Sequence, residues 1–475
     1  MRRGATACSQ LQTLYPGGTL LPGTLAYKVE RVNNWDKRSS LSPACIFLPE
    51  DADQVAVAVK ILHDAEAQFA IRGGGHMNIP GANSIDDGVL VALNKLDHTT
   101  VDESVTDKPI AVGPGAKWVD VYAALAPYGR YAIGGRLKNI GVPGLTLIGG
   151  VSYFQNKYGW SMDTVLRYDV VLGNGTRVVA DKTTNRDLFW ALKGGGNNFG
   201  IVTSFLFETY HVPLVSSTLQ VFAGESSVRA FVQAACDMVS SDDGSIGAGG
   251  VFNIHYDAVT RSTITMAFGT QEGTESPPSR FSGFTAIKPA LMRMHNVTEP
   301  LAWHSQFETP NQMFRIQFGH YTMKPDAAQL YSLYQQWVEA VHDISDVRGL
   351  APTFVINLLP GASARPALTN CMGNVFGLRN EDLITDWMLV TSWANEKDDA
   401  RVTSWAKSLL TRLHQQNREK SLASDFLYMG DAAEWQKPYE TYGLVNNRRL
   451  RRIQAQYDPD CVFTRLNSGG FKLRR

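Results

Sequence analysis

The chain has 475 residues, 44% of them hydrophobic and 19% charged, with 45 Lys plus Arg matched by 45 Asp plus Glu. That length suits two interlocked domains, and the composition excludes a disordered chain. A formal net charge of zero leaves no electrostatic footprint for nucleic acid or an anionic membrane, and no apolar run approaches the roughly 20 residues of a bilayer span.

The first residues, Met1 to Ala7, carry two arginines but no apolar stretch, so no secretory signal is visible. As written the chain reads as cytoplasmic, or as secreted if residues precede Met1. A short strand is predicted at 44–48. The run 51–65 sets Val55, Val59 and Leu62 at helical spacing behind an acidic first turn. Strands follow at 69–71, 88–93 and 109–112, and a helix at 118–125. Strands at 168–172 and 176–180 flank Asn174-Gly175, the strongest short hairpin signal. A helix at 187–193 and a strand at 200–209 complete this alternating region.

From 211 to 425 the glycine clusters thin out. Strand-like runs at 217–222, 263–268, 314–318, 354–359 and 387–393 alternate with helix patterns at 227–238, 327–342 and 400–416. That pattern predicts an antiparallel sheet with helices on one face, an α+β domain. The stretch 271–278 is polar and predicted to be exposed. The last helix, 444–456, ends at Tyr457-Asp458-Pro459. Its Arg448-Arg449-Leu450-Arg451-Arg452 cluster reads as a solvated face with Leu450 and Ile453 inward, rather than as a nucleic-acid patch.

The five cysteines, Cys8, Cys45, Cys236, Cys371 and Cys461, show no CxxC and no metal-ligand spacing, so no metal site is expected. Cys8 and Cys45 read as a pair if the protein is exported, and at least equally as free buried thiols. The sequons at Asn174 and Asn296 carry little weight.

Three glycine loops stand out: Arg72-Gly73-Gly74-Gly75-His76, then Gly141-Val142-Pro143-Gly144 leading to Gly149-Gly150, and Gly194-Gly195-Gly196-Asn197-Asn198-Phe199-Gly200. Without a Cβ, consecutive glycines let backbone N–H groups converge on an anion such as a pyrophosphate. A Rossmann fingerprint needs its glycines between strand and helix, and Met77-Asn78-Ile79-Pro80-Gly81 does not start a helix cleanly. A P-loop, GxxxxGK followed by Ser or Thr, is absent. Plain turns explain any one loop as well as an anion cradle does; three, one ending in His, are harder to dismiss.

These loops, with PACIFLP at 43–49, VGPGAKW at 112–118, LIGGVSY at 147–153, KYG at 157–159 with Asp163, LFWALKGGGNNFGIV at 188–202, and YDP at 457–459 with Phe463 and GGFK at 469–472, give a resemblance over nearly the whole chain. The sequence resembles the berberine-bridge-enzyme-like group of FAD-linked oxidoreductases, in the vanillyl-alcohol-oxidase (PCMH) superfamily, and its closing segment is most similar to fungal members. The resemblance implies a two-domain PCMH-type flavoprotein. An FAD domain would span 1–210, with 431–475 returning to it, and a substrate domain would span 211–430.

In that family the histidine of the RxGGH loop bonds to the flavin 8-methyl carbon, and His76 matches it. Such a bond needs a neutral imidazole nitrogen as nucleophile. A second tether, a cysteine in many relatives, falls at Leu137, so one covalent bond is implied. Val142 falls where the family controls oxygen access. The resemblance assigns cofactor contacts to Arg72, Gly73, Gly74, Gly75, Gly144, Gly149, Gly150, Ser152, Tyr153, Ile201 and Val202. The family's base is often the tyrosine of Tyr-x-Asn; here Tyr428 is kept and the Asn position is Gly430. A phenol with an ordinary pKa of about 10 needs a cation or donor nearby to act as a base near neutrality. The implied activity is an oxidase passing hydride from a small organic substrate, a secondary-metabolite intermediate, to FAD, with O2 as acceptor. The alternative is a flavin-holding cyclase or pericyclase without net redox change.

Overall fold

The computed structural model describes residues 2–370 and 372–473; Cys371 lies outside them. Three larger sheets, besides a two-stranded one pairing Arg130–Tyr131 with Tyr210–His211, organise the described residues. The first orders Thr19–Leu20, Cys45–Phe47, Val89–Ala92 and Phe69–Arg72, and its last three strands are parallel. Its strand Val89–Ala92 is buried along its whole length, which suits a near-continuous apolar run. The helix Ala52–Asp64 packs beside it: Asp51 caps the N-terminus by accepting from the Gln54 N–H, and Val55, Val59 and Leu62 face inward.

The second sheet is antiparallel, ordered Thr99–Val101, Ile110–Val112, Ile201–Phe207, Val165–Val171 and Arg177–Asp181. The Asn174-Gly175 turn joins the last two, with Gly175 at φ 82°.

The third sheet has seven antiparallel strands, ordered Met292–Thr298, Val215–Ala223, Ser262–Glu272, Ala248–Asp257, Ala351–Leu359, Ile384–Trp393 and Arg315–Met323. Helices Glu225–Ser240, Ala327–Val341 and Asp399–Glu419 cover one face. Strand periodicity of two divides the residues: Phe354, Ile356, Trp387 and Leu389 go under the helices, while Val355, Asn357, Met388 and Val390 face the opposite side. The α+β architecture with helices on one face of an antiparallel sheet is thus what the chain adopts.

Sequence periodicity does not reveal three elements. The strand Ala248–Asp257 opens with Gly249-Gly250, which dilutes its strand signal, and Met292–Thr298 is an edge strand with mixed exposure. The helix Arg2–Leu14 buries only three side chains among its described residues, Ala7, Cys8 and Leu11, besides Gly4. The loop predicted from residue 271 begins later, because the strand runs on to Glu272. In the last helix Leu450 and Ile453 are buried, and the Arg449 guanidinium lies 3.8 Å over the Trp190 ring.

Cys8 is bonded to Cys45, so the free-thiol reading does not hold for this pair. The bond ties helix Arg2–Leu14 to the strand beneath it across a separation of 37 residues. Closing a loop of that length restricts the unfolded chain by about 4 kcal/mol. Cys45→Ser should lose roughly that much stability in chemical denaturation.

Candidate functional site

A cavity of about 730 Å³ opens between the helix-free face of the seven-stranded sheet and the glycine loops. Gly73, Gly74, Gly75 and His76 form one wall, directly after the strand Phe69–Arg72. Gly141, Pro143 and Gly144 form the next. A Cβ on Gly74 would sit 2.5 Å from both Cα and N of Gly141, so two backbones cross where side chains have no room. Within the described residues, no hydrogen bond takes up the backbone N–H groups of residues 73–76. Polar groups of this kind beside a cavity call for an acceptor from outside the chain. Gly196, Ile201 and Val202 continue the lining, and Gly469, Gly470 and Phe471 complete it from the far end of the sequence. The Lys472 amine secures this last segment to Asn197 and Asn467, at 2.9 and 2.6 Å.

His76 is half-buried on the wall. Its ring stacks on Trp35 with centroids 4.8 Å apart, and Thr309 Oγ1 lies 3.3 Å from its Nε2. Burial, and then the Lys117 charge, pull its pKa down to about 4. The imidazole is therefore neutral at pH 7, with a lone pair free to act as nucleophile. Leu137 also lines the cavity.

Gly73, Gly74, Gly75, His76, Gly144, Ile201, Val202 and Tyr428 all line this one cavity. Arg72, Gly149, Gly150, Ser152 and Tyr153 do not, for local reasons. Arg72 turns away to pair with the Glu30 carboxylate and carbonyl at the end of helix Leu25–Arg31. Gly149 and Gly150 form a turn at φ 113° and 90°, packed against Phe376 and Ser161. The Ser152 N–H donates to Gln155 Oε1, and Tyr153 sits among Trp303 and His304. Val142 is fully buried in the core rather than at the cavity.

Tyr428 receives the Val151 N–H at 3.4 Å, and its phenol is pushed upward by burial and by Asp431. Among the described residues no cation hydrogen-bonds it, although the Arg136 charge acts in the opposite sense from a distance. A Cβ on Gly430 would lie 2.5 Å from the Tyr428 ring. The missing Asn is therefore a steric matter: the ring occupies the space its side chain would need. Gly430→Asn should displace Tyr428 and cost about 2 kcal/mol, measurable by thermal unfolding.

Sequence reading did not single out Trp35, Thr309, Arg136, Asn357 or Asp431, all of which line the cavity. Polar residues at inward positions of apolar strands, such as Asn357 and Asp386, were the available signal. Among the described residues no cluster of three or more His, Cys, Asp or Glu is placed to hold a metal, and no helix is long and apolar enough to cross a membrane.

Unspent N–H donors from consecutive glycines, beside a roomy cleft between a mixed α/β layer and an antiparallel sheet, suit a dinucleotide whose pyrophosphate meets the loop. Fold and site are those of an FAD-binding oxidoreductase. A model of the FAD binding domain matches residues 43–181. The chain is 32% identical to "FAD-dependent monooxygenase prx3" of Penicillium roqueforti, covering 99% of this chain and 94% of that protein. It is 34% identical to "FAD-dependent monooxygenase tpcD" of Cochliobolus heterostrophus (92% and 86% covered) and 28% identical to "Bifunctional solanapyrone synthase" of Alternaria solani (98% and 89%). The berberine bridge enzyme of Eschscholzia californica superposes with a TM-score of 0.79 at 14% identity, covering 99% of this chain and 100% of that one. Glucooligosaccharide oxidase of Acremonium strictum, described with a 6-S-cysteinyl, 8α-N1-histidyl FAD, gives 0.79 at 18%, with 98% of each chain covered. The chain belongs to the berberine-bridge-enzyme-like family of FAD-linked oxidoreductases.

Proposed function

We propose that the protein is an oxidase that holds one FAD covalently through His76 and takes a hydride from a small organic substrate, a secondary-metabolite intermediate, with O2 as acceptor. The observation that carries this reading is a neutral imidazole on the cavity wall at the end of the unspent N–H donors. Relatives named as monooxygenases of fungi support an oxygen-linked role. FAD, once bound, supplies a two-electron acceptor. The chain's own residues do the rest. Residues 73–76 bind the pyrophosphate through backbone N–H groups, and Gly144, Ile201 and Val202 pack along the cofactor. Trp35 fixes the plane of the imidazole, and Leu137 in the second tether position leaves a single covalent bond. Phe268, Phe307, Val251 and Met266 on the sheet side keep water from the reacting carbon and fit an apolar substrate body. We assign the FAD domain to 1–210 and 431–475 and the substrate domain to 211–430, because the glycine loops come from the former and this apolar wall largely from the latter.

The test is anaerobic mixing of the holoenzyme with benzylic and allylic alcohols, hydroxy acids and secondary amines, followed by flavin absorbance. Bleaching that recovers in air with release of peroxide is expected; no bleaching by any member sinks the oxidase reading. A relative named as a bifunctional synthase, together with the apolar sheet wall, favours a cyclase as the second reading. A product of unchanged mass would select it.

A further inference from the structure

At one end of the cavity three neighbouring strands turn polar residues to the same side. Asn357 pairs in register with Asp386, and His320 lies diagonally across from Asp386 on the outer strand. All three are buried, as is Asp431, in the loop that crosses over them. Gln436 pins that loop to the sheet, donating to the His320 carbonyl at 2.5 Å and accepting from the Ala433 N–H at 2.8 Å.

The side chains form one chain of contacts. Arg136 Nη1 donates to Asn357 Oδ1 at 3.1 Å, and Asn357 Nδ2 donates to Asp431 Oδ2 at 3.0 Å. His320 Nδ1 meets Asp386 Oδ1 at 2.8 Å. The Asp386 carboxyl is near enough to Asp431 to raise its pKa by charge and by hydrogen bonding. Yet Asp386 Oδ2 is buried, and among the described residues no donor reaches it. Two ionised carboxylates facing each other would repel, and neither has a proton to give. A proton on Asp431 resolves both problems by donating to Asp386. Asp431 and Asn357 line the cavity, whereas His320 and Asp386 stand behind them.

We propose that Asp431, not Tyr428, is the proton acceptor of the reaction, with Asn357 orienting it and the Asp386–His320 pair receiving the transferred proton's hydrogen bond. The inference rests on the oxidase reading for its substrate, an alcohol or amine. The substrate's C–H bond breaks and its hydride, with both electrons, goes to FAD as oxidant. Its O–H or N–H proton goes to the Asp431 carboxylate, and a C=O or C=N bond forms. Burial, and then the Asp386 charge, hold Asp431 well above the usual carboxylate range, while His320 and Arg136 pull the other way. Of the loop's other ionisable groups, Tyr428 stays neutral, Glu434 turns to Arg38 at 3.5 Å and Asp425 to Arg418 at 3.6 Å. A base with raised pKa takes a proton more readily than an exposed carboxylate does.

Two measurements test this. Infrared titration of the holoenzyme should show a protonated carboxyl band persisting above the ordinary carboxylate range, lost in Asp431→Asn with FAD content unchanged. Its absence from the wild type, or its survival in the variant, overturns the proposal. Flavin reduction by whichever alcohol or amine bleaches the holoenzyme should rise with pH as Asp431 ionises, and fall about 100-fold or more in Asp431→Asn. Asp386→Asn should move that rise to lower pH, which a merely structural Asp386 would not do. An unaltered rate and pH profile in Asp431→Asn would also overturn it. If no compound bleaches the flavin, the oxidase reading fails, and the infrared result alone decides whether Asp431 holds the proton.

Discussion

His76→Ala should leave a protein from which denaturation releases all its flavin, where the wild-type chain retains it stoichiometrically on the peptide containing residue 76. The expectation follows from the wall itself. Burial and Lys117 keep the imidazole unprotonated, so its nitrogen is a nucleophile at neutral pH, and stacking on Trp35 fixes the ring's direction. The cavity's other histidine, His255, lies on the opposite, sheet wall in strand Ala248–Asp257, where its Nδ1 is held 2.8 Å from Thr353 Oγ1. Leu137 cannot form an adduct, the free Cys236 is buried in helix Glu225–Ser240 on the other face of the large sheet, and Cys461 does not line the cavity. Mass spectrometry of proteolysed protein is the measurement. An adduct that survives in the alanine variant would place the attachment elsewhere and remove the main support for the proposed cofactor geometry.

The second large effect concerns Gly74. Alanine there would drive a methyl group to 2.5 Å from two backbone atoms of Gly141, and backbone cannot swing aside as the end of a flexible side chain can. Overpacking of this kind costs about 3 kcal/mol. Separating the two segments would also splay the N–H donors of residues 73–76, so FAD content should collapse along with stability. Gly144 makes the contrast. Nothing lies within 4 Å of where its Cβ would be, and it sits in the short helix Val142–Thr146, where alanine is the better helix former. Gly144→Ala should therefore be neutral or stabilising in the apoprotein and still weaken FAD binding, because its methyl group would enter the cavity. Denaturant unfolding and flavin content, measured on both variants, separate glycines the chain needs for itself from one kept free for a ligand. Equal loss of stability in the two would contradict that division.

The helix-and-strand plan was legible because its signals are local. Val55, Val59 and Leu62 mark a helix by spacing, and Asn174-Gly175 marks a hairpin by backbone preference. The glycine loops were legible for the same reason: their conformational demands are written into consecutive positions. What the sequence hid depends on the third dimension. Arg72 sits beside the glycines in the chain but turns to Glu30, since a buried guanidinium follows the nearest carboxylate. Ser152 and Tyr153 lie two and three residues past a turn that points them into other parts of the molecule. Asn357, Asp386 and His320 come from strands distant in sequence, and only the register of the sheet brings them together. The pairing of Cys8 with Cys45 likewise depends on a helix whose weak apolar stripe gives little sign of itself.

The wall completed by Gly469, Gly470 and Phe471 has a biosynthetic consequence. The loop of residues 73–76 leaves the ribosome early, but the cavity wall beside it is complete only after these last residues have emerged and docked through Lys472 and Leu473. On the proposed reading, flavin would be retained only once this segment has docked, and a chain truncated before it would present an open trough where the full chain has a walled cleft.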